Sequence, residues 1–327
     1  MRIIFYVYLS LMVPITALAN SSSYIGLTLE NDMYVHEDGG YSNGLFIDWG
    51  YDNLTALDHK VLPDWLAYLA FKTPINDLKE RKYRINYSIG QAIQTAIDLE
   101  THKLVEEDAP YVGLLGWNVN VASYSDLNMD EFGLILGAVG PVAGGEFVQS
   151  FVHDLTGGKK PQGWDNQINN EFVFRVQLRR TWRVYDMPIS IGEFDLLTGI
   201  DGGLGNLRSD IATGIGFRFG QQLTHNFSSS TVFPIQKFNR FRPSPFGWYL
   251  FANASASYVA NDIFIDGNTF QDSHSVDLIH PQFTFSAGLV ANLYDISLLF
   301  TLVNSSDEYE GQTESSRFGS ISLAYHF

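Results

Sequence analysis

Polar and apolar positions alternate with a period of two along most of the chain. Residues 24–32 place Ile25, Leu27 and Leu29 on one face and Gly26, Thr28, Glu30 and Asp32 on the other. Residues 41–51 repeat the pattern, with Leu45, Ile47, Trp49 and Tyr51 opposite Ser42, Gly44, Phe46, Asp48 and Gly50. Successive side chains of a strand point to opposite faces, so such runs predict strands with one apolar face and one polar or small face. Comparable runs follow at 83–93, 113–124, 131–139, 171–182, 189–200, 207–220, 248–261, 281–293, 295–303 and 317–327. Many are close to the roughly ten residues that a tilted strand needs to cross a bilayer. A soluble sandwich can alternate in the same way. The last run separates the two: Gly319, Ile321, Leu323, Tyr325 and Phe327 line one face and the sequence stops on Phe327, in the manner of C-terminal strands of bacterial outer-membrane barrels. The expected fold is all-β, a transmembrane antiparallel β-barrel of about twelve strands with a short helix in an extracellular loop.

Strand parity orients the connections. With the N-terminus in the periplasm, the extracellular ones are 33–40, 94–112, 140–170, 201–206, 262–280 and 304–316, and tight periplasmic turns fall at 125–130, 184–188 and around Tyr294. Connections 52–82 and 221–247 are long where short ones belong. The first contains residues 64–71, DWLAYLAF, expected to form a small amphipathic helix in the membrane interface. The second, with Pro234, Pro243 and Pro245, has room for an additional strand. The clearest helix lies within 140–167, after Gly144-Gly145 and before Gly157-Gly158. Glu146, Gln149 and His153 share one of its faces, at i, i+3 and i+7, and Phe147, Val148, Phe151, Val152 and Leu155 take the other.

Composition narrows the class. Arg2, the apolar stretch 3–14 and Ala17-Leu18-Ala19 read as a secretory signal cleaved after Ala19, leaving a single barrel domain, 20–327. The chain has no cysteine, so packing and sheet closure must hold it. Aromatic residues make up 14% and glycines number 29, a mixture that suits barrel walls and turns, and no later segment has the apolar length of a spanning helix. A formal net charge of −16 argues against a nucleic-acid partner and leaves acidic loops suited to divalent cations.

Chemistry-bearing residues converge on this parity. Asp32 ends the first strand and Ser42 begins the second, both expected to face inward at the extracellular rim, and the helix bearing His153 belongs to an extracellular loop. An imidazole held on a helix can act as a general base toward water. A carboxylate at a rim is a hard oxygen ligand for Ca²⁺, which can polarise an ester carbonyl. Ser42 can serve as nucleophile, ligand or hydrogen-bond donor; no G-x-S-x-G elbow surrounds it. Gln149 can orient the same water or the substrate. Taken singly, each residue also has an ordinary reading: a solvated helix face for His153, a turn after Asn31 for Asp32, a strand start for Ser42. His36, His59, His102, His225, His274, His280 and His326 lack metal-type spacing and read as structural.

Several motifs occur in a distinctive order: Glu30-Asn31-Asp32, Tyr41-Ser42-Asn43-Gly44, Asp108-Ala109-Pro110-Tyr111, Gly140-Pro141 through Glu146-x-x-Gln149-x-x-x-His153, and Gly163-Trp164-x-x-Gln167. The set resembles the outer-membrane lipid A 3′-O-deacylases of the LpxR type. The resemblance implies a twelve-stranded barrel with its active site between the wall and a loop helix. It implies Ca²⁺-dependent removal of the 3′-linked acyloxyacyl group of lipid A, the lipid anchor of lipopolysaccharide, by a phospholipase A2-like mechanism. Carried over by motif, Asn31 and Asp32 match the catalytic Asn-Asp, with Asp32 the Ca²⁺ contact. Ser42 keeps a hydroxyl where some members have Thr, His153 matches the base, and Gln149 matches the Gln one turn before it. The protein is then expected to work as a monomer in the outer membrane. Two departures bear on substrate choice: Ala109 stands where the family has Arg, and Lys159-Lys160 occupy the region of a downstream acidic residue. A different acyl esterase, such as a barrel phospholipase, and a non-enzymatic barrel are the alternatives.

Overall fold

The structure, a computed structural model, describes residues 22–32, 40–76, 81–156, 161–227, 230–233, 246–313 and 315–327. The signal segment and Lys159-Lys160 lie outside the described residues. Twelve antiparallel strands form one closed barrel in strict sequence order. They are β1 (Ser22–Asn31), β2 (Gly40–Leu54), β3 (Lys82–Thr95), β4 (Val112–Tyr124), β5 (Asn128–Val139), β6 (Glu171–Ile189), β7 (Gly192–Leu204), β8 (Arg208–Gly220), β9 (Phe246–Asp262), β10 (Pro281–Leu293), β11 (Ile296–Ser305) and β12 (Arg317–His326). Each run expected from periodicity is a strand. The closing ladder joins β1 to β12, from Tyr24 opposite His326 to Asn31 opposite Gly319. An even count brings the start of β1 and the end of β12 to one end of the barrel, where the amide of Phe327 bonds the carbonyl of Ser23 at 2.9 Å.

Alternation sorts side chains between lipid and lumen. On β6, Phe172, Phe174, Val176 and Leu178 are exposed on the outer wall, whereas Arg175, Gln177, Arg179 and Arg183 are buried inside. The inward cations meet inward carboxylates. Arg183 and Arg218 share Asp195 at 2.8 and 2.5 Å, Arg179 reaches Asp201 at 3.2 Å, and Arg208 reaches Asp262 at 2.6 Å. Ions this far from water persist only when paired, so these bridges fill the lumen with mutually dependent charges.

One expected turn is wrong. Residues 184–188 belong to β6, and the reversal is the two-residue link 190–191. A bulge at Val184, between Arg183 and Tyr185, absorbs one residue, and the ladder then continues to Ile189 opposite Gly192.

Both long periplasmic connections are real, and each has a place to go. The first carries helix α1 (Asp64–Phe71), which lies against the outside of the wall. Leu66 and Ala70 pack with Val61 and Leu62 over the outward residues Tyr51, Ile85, Tyr87, Val119, Val121, Phe132 and Leu134. The Tyr87 hydroxyl donates to the carbonyl of Val61 at 2.7 Å. Trp65, Tyr68, Leu69 and Phe71 remain exposed on the side away from the barrel, as an interfacial helix requires.

The described part of the second connection, 221–227 and 230–233, enters the lumen and contains no strand. Phe227, Val232 and Phe233 pack with Ala122, Tyr124, Met129 and Leu197, and Arg179 lies over the Phe233 ring. Gly199 makes room for this plug: a Cβ there would sit 2.9 Å from Val232 and 3.0 Å from Phe233. Its prolines at 234, 243 and 245 lie outside the described residues.

Replacing Leu66 by Asp puts a charge on the face that α1 buries against the wall, a substitution strong enough to unseat it. Limited proteolysis in detergent is expected to cut this variant within 55–81 while the barrel stays intact. An unchanged digestion pattern would show that Leu66 does not hold the helix down.

Candidate functional site at the outer rim

Two groups of residues meet at the extracellular end of β3. The first comes from β1 and β2. Tyr41 pairs with Gln94 and Asn43 with Ile93, leaving Ser42 as the extra residue of a β-bulge. Tyr41 and Gln94 line the lumen; Ile93 lies on the outer wall. Ser42 is thereby turned out of the alternation. Its Oγ lies 2.7 Å from Thr95 Oγ1, on the residue after lumen-facing Gln94, and 3.2 Å from the carbonyl of Gly40. Asn31 Nδ2 donates to the Ser42 carbonyl at 2.8 Å, tying the last residue of β1 to the bulge. Asp32 follows directly and is buried.

The second group is borne by helix α2 (Gly145–Thr156). A short 3-10 turn at Pro141–Ala143 ends on Gly144, whose φ of +66° is left-handed and suits glycine. Gly145 then lies against Gly113 of β4 and the ring of Trp164, an approach that a Cβ would block at 2.5 Å from the indole. Ala143 is further held by Gln91, whose side-chain amide donates to its carbonyl. The helix is thus pressed onto the outside of the wall over β3 and β4.

Its orientation corrects the expected amphipathicity. The expected boundaries hold, but the face toward the protein carries Gly145, Val148, Gln149, Val152 and His153, with Gln149 buried and His153 half-buried. Phe147 and Phe151, from the apolar face, are 76% and 57% exposed, and Glu146, from the polar face, is exposed as well. An outward apolar pair on the outer wall is what a lipid solvent selects, because the low-cost face there is the apolar one.

Trp164, in a 3-10 turn at Gly163–Asn166, joins helix to wall. It packs with Ile93, Ala96, Tyr111 and Val148, and its Nε1–H donates to Gln149 Oε1 at 2.9 Å. Ile93 holds Trp164 and Thr95 holds Ser42; two residues apart on one strand, they lie on the same face, about 7 Å from each other. Sequence reasoning missed Thr95; its signal was the period of β3 extended by one more step. The Tyr111 phenol is pushed up to about 12, first by burial, and stays protonated.

The Asp108-Ala109-Pro110-Tyr111 motif acts as a loop tie. Asp108 Oδ1 accepts from the Ala109 amide at 2.7 Å and the Tyr309 hydroxyl at 2.8 Å, and Oδ2 accepts from the Ile97 amide at 2.7 Å. Burial, with the hydrogen bond to Asp108, holds the Tyr309 phenol well above its ordinary range, so it remains a donor. His274, whose ring nitrogen lies 2.7 Å from the Asp108 carbonyl, joins a third loop to the same point. His280 and His326 also make structural contacts, to the Val259 carbonyl and to Ser297. His36 lies outside the described residues.

The structure therefore brings Asn31, Asp32 and Ser42 together at the ends of β1 and β2, and Gln149 and His153 together on the inner face of α2. Ser42, through Thr95, and Gln149 and His153, through α2, abut β3 on its outer side rather than from within the barrel mouth. A separate lumen cavity of about 210 Å³ is lined by Gln94, Arg175, Arg208, Asp210 and Asp262 but by none of the five candidate residues. No group of three or more His, Asp or Glu suited to a metal occurs among the described residues. Among the described residues, the donors near the bulge are the buried carboxylates of Asp32 and Glu30, the latter accepting from the Tyr41 hydroxyl, and the neutral oxygens of Asn31, Ser42 and Thr95. This set is hard and oxygen-only, as Ca²⁺ prefers, but it supplies fewer than the six to eight ligands the ion takes. It fits a weakly held cation completed by water and substrate oxygens.

Comparison with known proteins bears on the fold and the family. Among solved structures, LpxR from Salmonella typhimurium superposes with a TM-score of 0.75 at 17% identity, covering 93% of this chain and 100% of that one. The β domain of the Bordetella autotransporter BrkA reaches 0.45 at 10% identity, covering 94% and 99%, and the translocator domain of NalP from Neisseria meningitidis reaches 0.40 at 10%, covering 100% and 94%. No curated protein matches the sequence. The family model described as outer membrane protein LpxR matches residues 3–327. With a closed twelve-strand barrel, a loop helix on its outer wall and the ordered motifs in place, the chain belongs to the LpxR family of outer-membrane lipid A deacylases.

Proposed function

We propose that the protein hydrolyses the 3′-O-linked acyloxyacyl ester of lipid A, with His153 as general base. The observation that carries the reading is the position of α2. It holds Gln149 and His153 against the outside of the wall, at the level where β1 and β2 present Asp32 and Ser42. A lipid embedded in the outer leaflet reaches that surface without entering the lumen, and the exposed Phe147 and Phe151 continue the apolar belt along which its acyl chains lie.

In the proposed step, the His153 imidazole takes a proton from water as the water oxygen bonds to the ester carbonyl carbon. The tetrahedral intermediate collapses by breaking the bond to the sugar 3′ oxygen, which takes the proton back from the imidazolium. The products are the freed acyloxyacyl acid and 3′-O-deacylated lipid A. Ca²⁺, when bound, supplies positive charge to the carbonyl oxygen. Asp32 and the neutral oxygens beside it would hold that ion. Ser42, fixed by Thr95 and Gly40, positions the ester or water through its hydroxyl; no base within the bulge's hydrogen bonds would activate it as a nucleophile. The absence of Arg from Asp108-Ala109-Pro110-Tyr111 removes one cation that could meet a lipid phosphate.

Purified protein in detergent, incubated with lipid A and Ca²⁺, is expected to shorten lipid A by one acyloxyacyl group in mass spectra and to leave phospholipid offered alongside it intact. Cleavage of phospholipid alone would favour a phospholipase. His153→Ala and Asp32→Ala are each expected to lower turnover by about 10²–10⁴-fold while the barrel stays folded; wild-type turnover in either variant removes that residue from the mechanism. Chelation of Ca²⁺ is expected to stop the reaction and re-addition to restore it, and full activity in chelator would exclude the ion.

A further inference from the structure

Gln149 has one partner fixed and one missing. It is 2% exposed, and its Oε1 accepts the indole N–H of Trp164, itself 3% exposed. An indole nitrogen only donates, so it can be met only by the carbonyl end of the amide. That bond settles which way the amide points and directs Nε2 to the other side. Among the described residues Nε2 has no hydrogen-bond partner. A buried NH₂ left unpaired costs on the order of 1–3 kcal/mol, which makes one lying beside a candidate base a candidate donor to a bound oxygen.

The surroundings indicate the use. Gln149 lies one turn before His153 on the same inner face of α2. Gln167 Oε1 is also buried without a partner among the described residues, and both Gln167 and Tyr111 touch Trp164, through the backbone amide of Gln167 bonded to the Trp164 carbonyl and the edge-on ring contact of Tyr111. The indole is thus the fixed post of a buried, polar corner beside the proposed base. A donor preset in such a corner is suited to an oxygen that gains charge during a reaction, since it needs no reorganisation when the charge appears.

We propose that Gln149 Nε2 donates to the scissile ester's carbonyl oxygen as it becomes an oxyanion, and that Trp164 is a positioning residue that locks the amide in the donating orientation. The inference rests on the deacylase reading. It adds a second source of oxyanion stabilisation and assigns the tryptophan of Gly163-Trp164-x-x-Gln167 a mechanistic task.

The test is a double-variant cycle on the full-length protein in detergent with lipid A as substrate. Gln149→Glu, which keeps the shape and removes the donor, is expected to lower kcat by about 10²–10³-fold with KM little changed. Trp164→Phe, which keeps the ring against Ile93 and Tyr111, is expected to lower kcat about 10-fold or more. In a Gln149→Ala background Trp164→Phe is expected to cost nothing further, because there is no amide left to orient. Thermal unfolding of each variant shows whether packing has changed. Wild-type kcat in Gln149→Glu, or a Trp164→Phe loss that persists undiminished in the Gln149→Ala background, would overturn the proposal while the wild-type protein's activity still supports the deacylase reading. A wild-type protein that leaves lipid A intact would overturn both.

Discussion

Closure of the sheet is the constraint from which the rest follows. In lipid no water satisfies an unpaired strand edge, so twelve strands must meet, β1 against β12. A closed wall leaves each strand residue two destinations, and the chain obeys by alternation: apolar side chains to the membrane, charged ones to a lumen where arginine and aspartate pair with one another. Neither surface suits hydrolysis of a membrane lipid. The lumen is polar but shut off from lipid by the wall, and ion pairs and the plug residues Phe227, Val232 and Phe233 occupy it around one remaining cavity. The outer wall meets lipid but carries few polar groups.

The rim resolves the conflict through local departures from regular geometry. A bulge turns Ser42 out of the alternation and ties it to Thr95. A helix lies down on the wall by way of glycines too small to obstruct it, carrying Gln149 and His153 on its wall-facing side and Phe147 and Phe151 on its lipid side. Asp108, Tyr309 and His274 knit three loops above this region, which keeps the rim ordered without drawing on the candidate residues.

Much of the fold was legible because period two is a direct imprint of a wall with two solvents. Every strand could be placed, and the helix bounded by Gly144-Gly145 emerged as expected. The errors share a cause. The Val184 bulge, the lumen plug and the side of the wall on which Ser42 and α2 lie are set by single-residue irregularities and long-range packing, which leave no period in the sequence. The split of α2 between wall and surface is also set by packing: Val148 and Val152 go to the wall with Gln149 and His153, and Phe147 and Phe151 stay exposed. Identities of the candidate residues came from ordered motifs; Thr95 and the Trp164–Gln149 bond came from coordinates.

The central claim is that chemistry occurs on the outer rim and not in the lumen, and filling the lumen cavity tests it most directly. Ser257 lines that cavity far from α2 in sequence and on the opposite side of the sheet order, at β9. Deacylation of lipid A by a Ser257→Trp variant that still folds as a heat-stable barrel is predicted to match the wild-type rate; loss of activity in that folded variant would place the reaction inside the barrel and contradict the account.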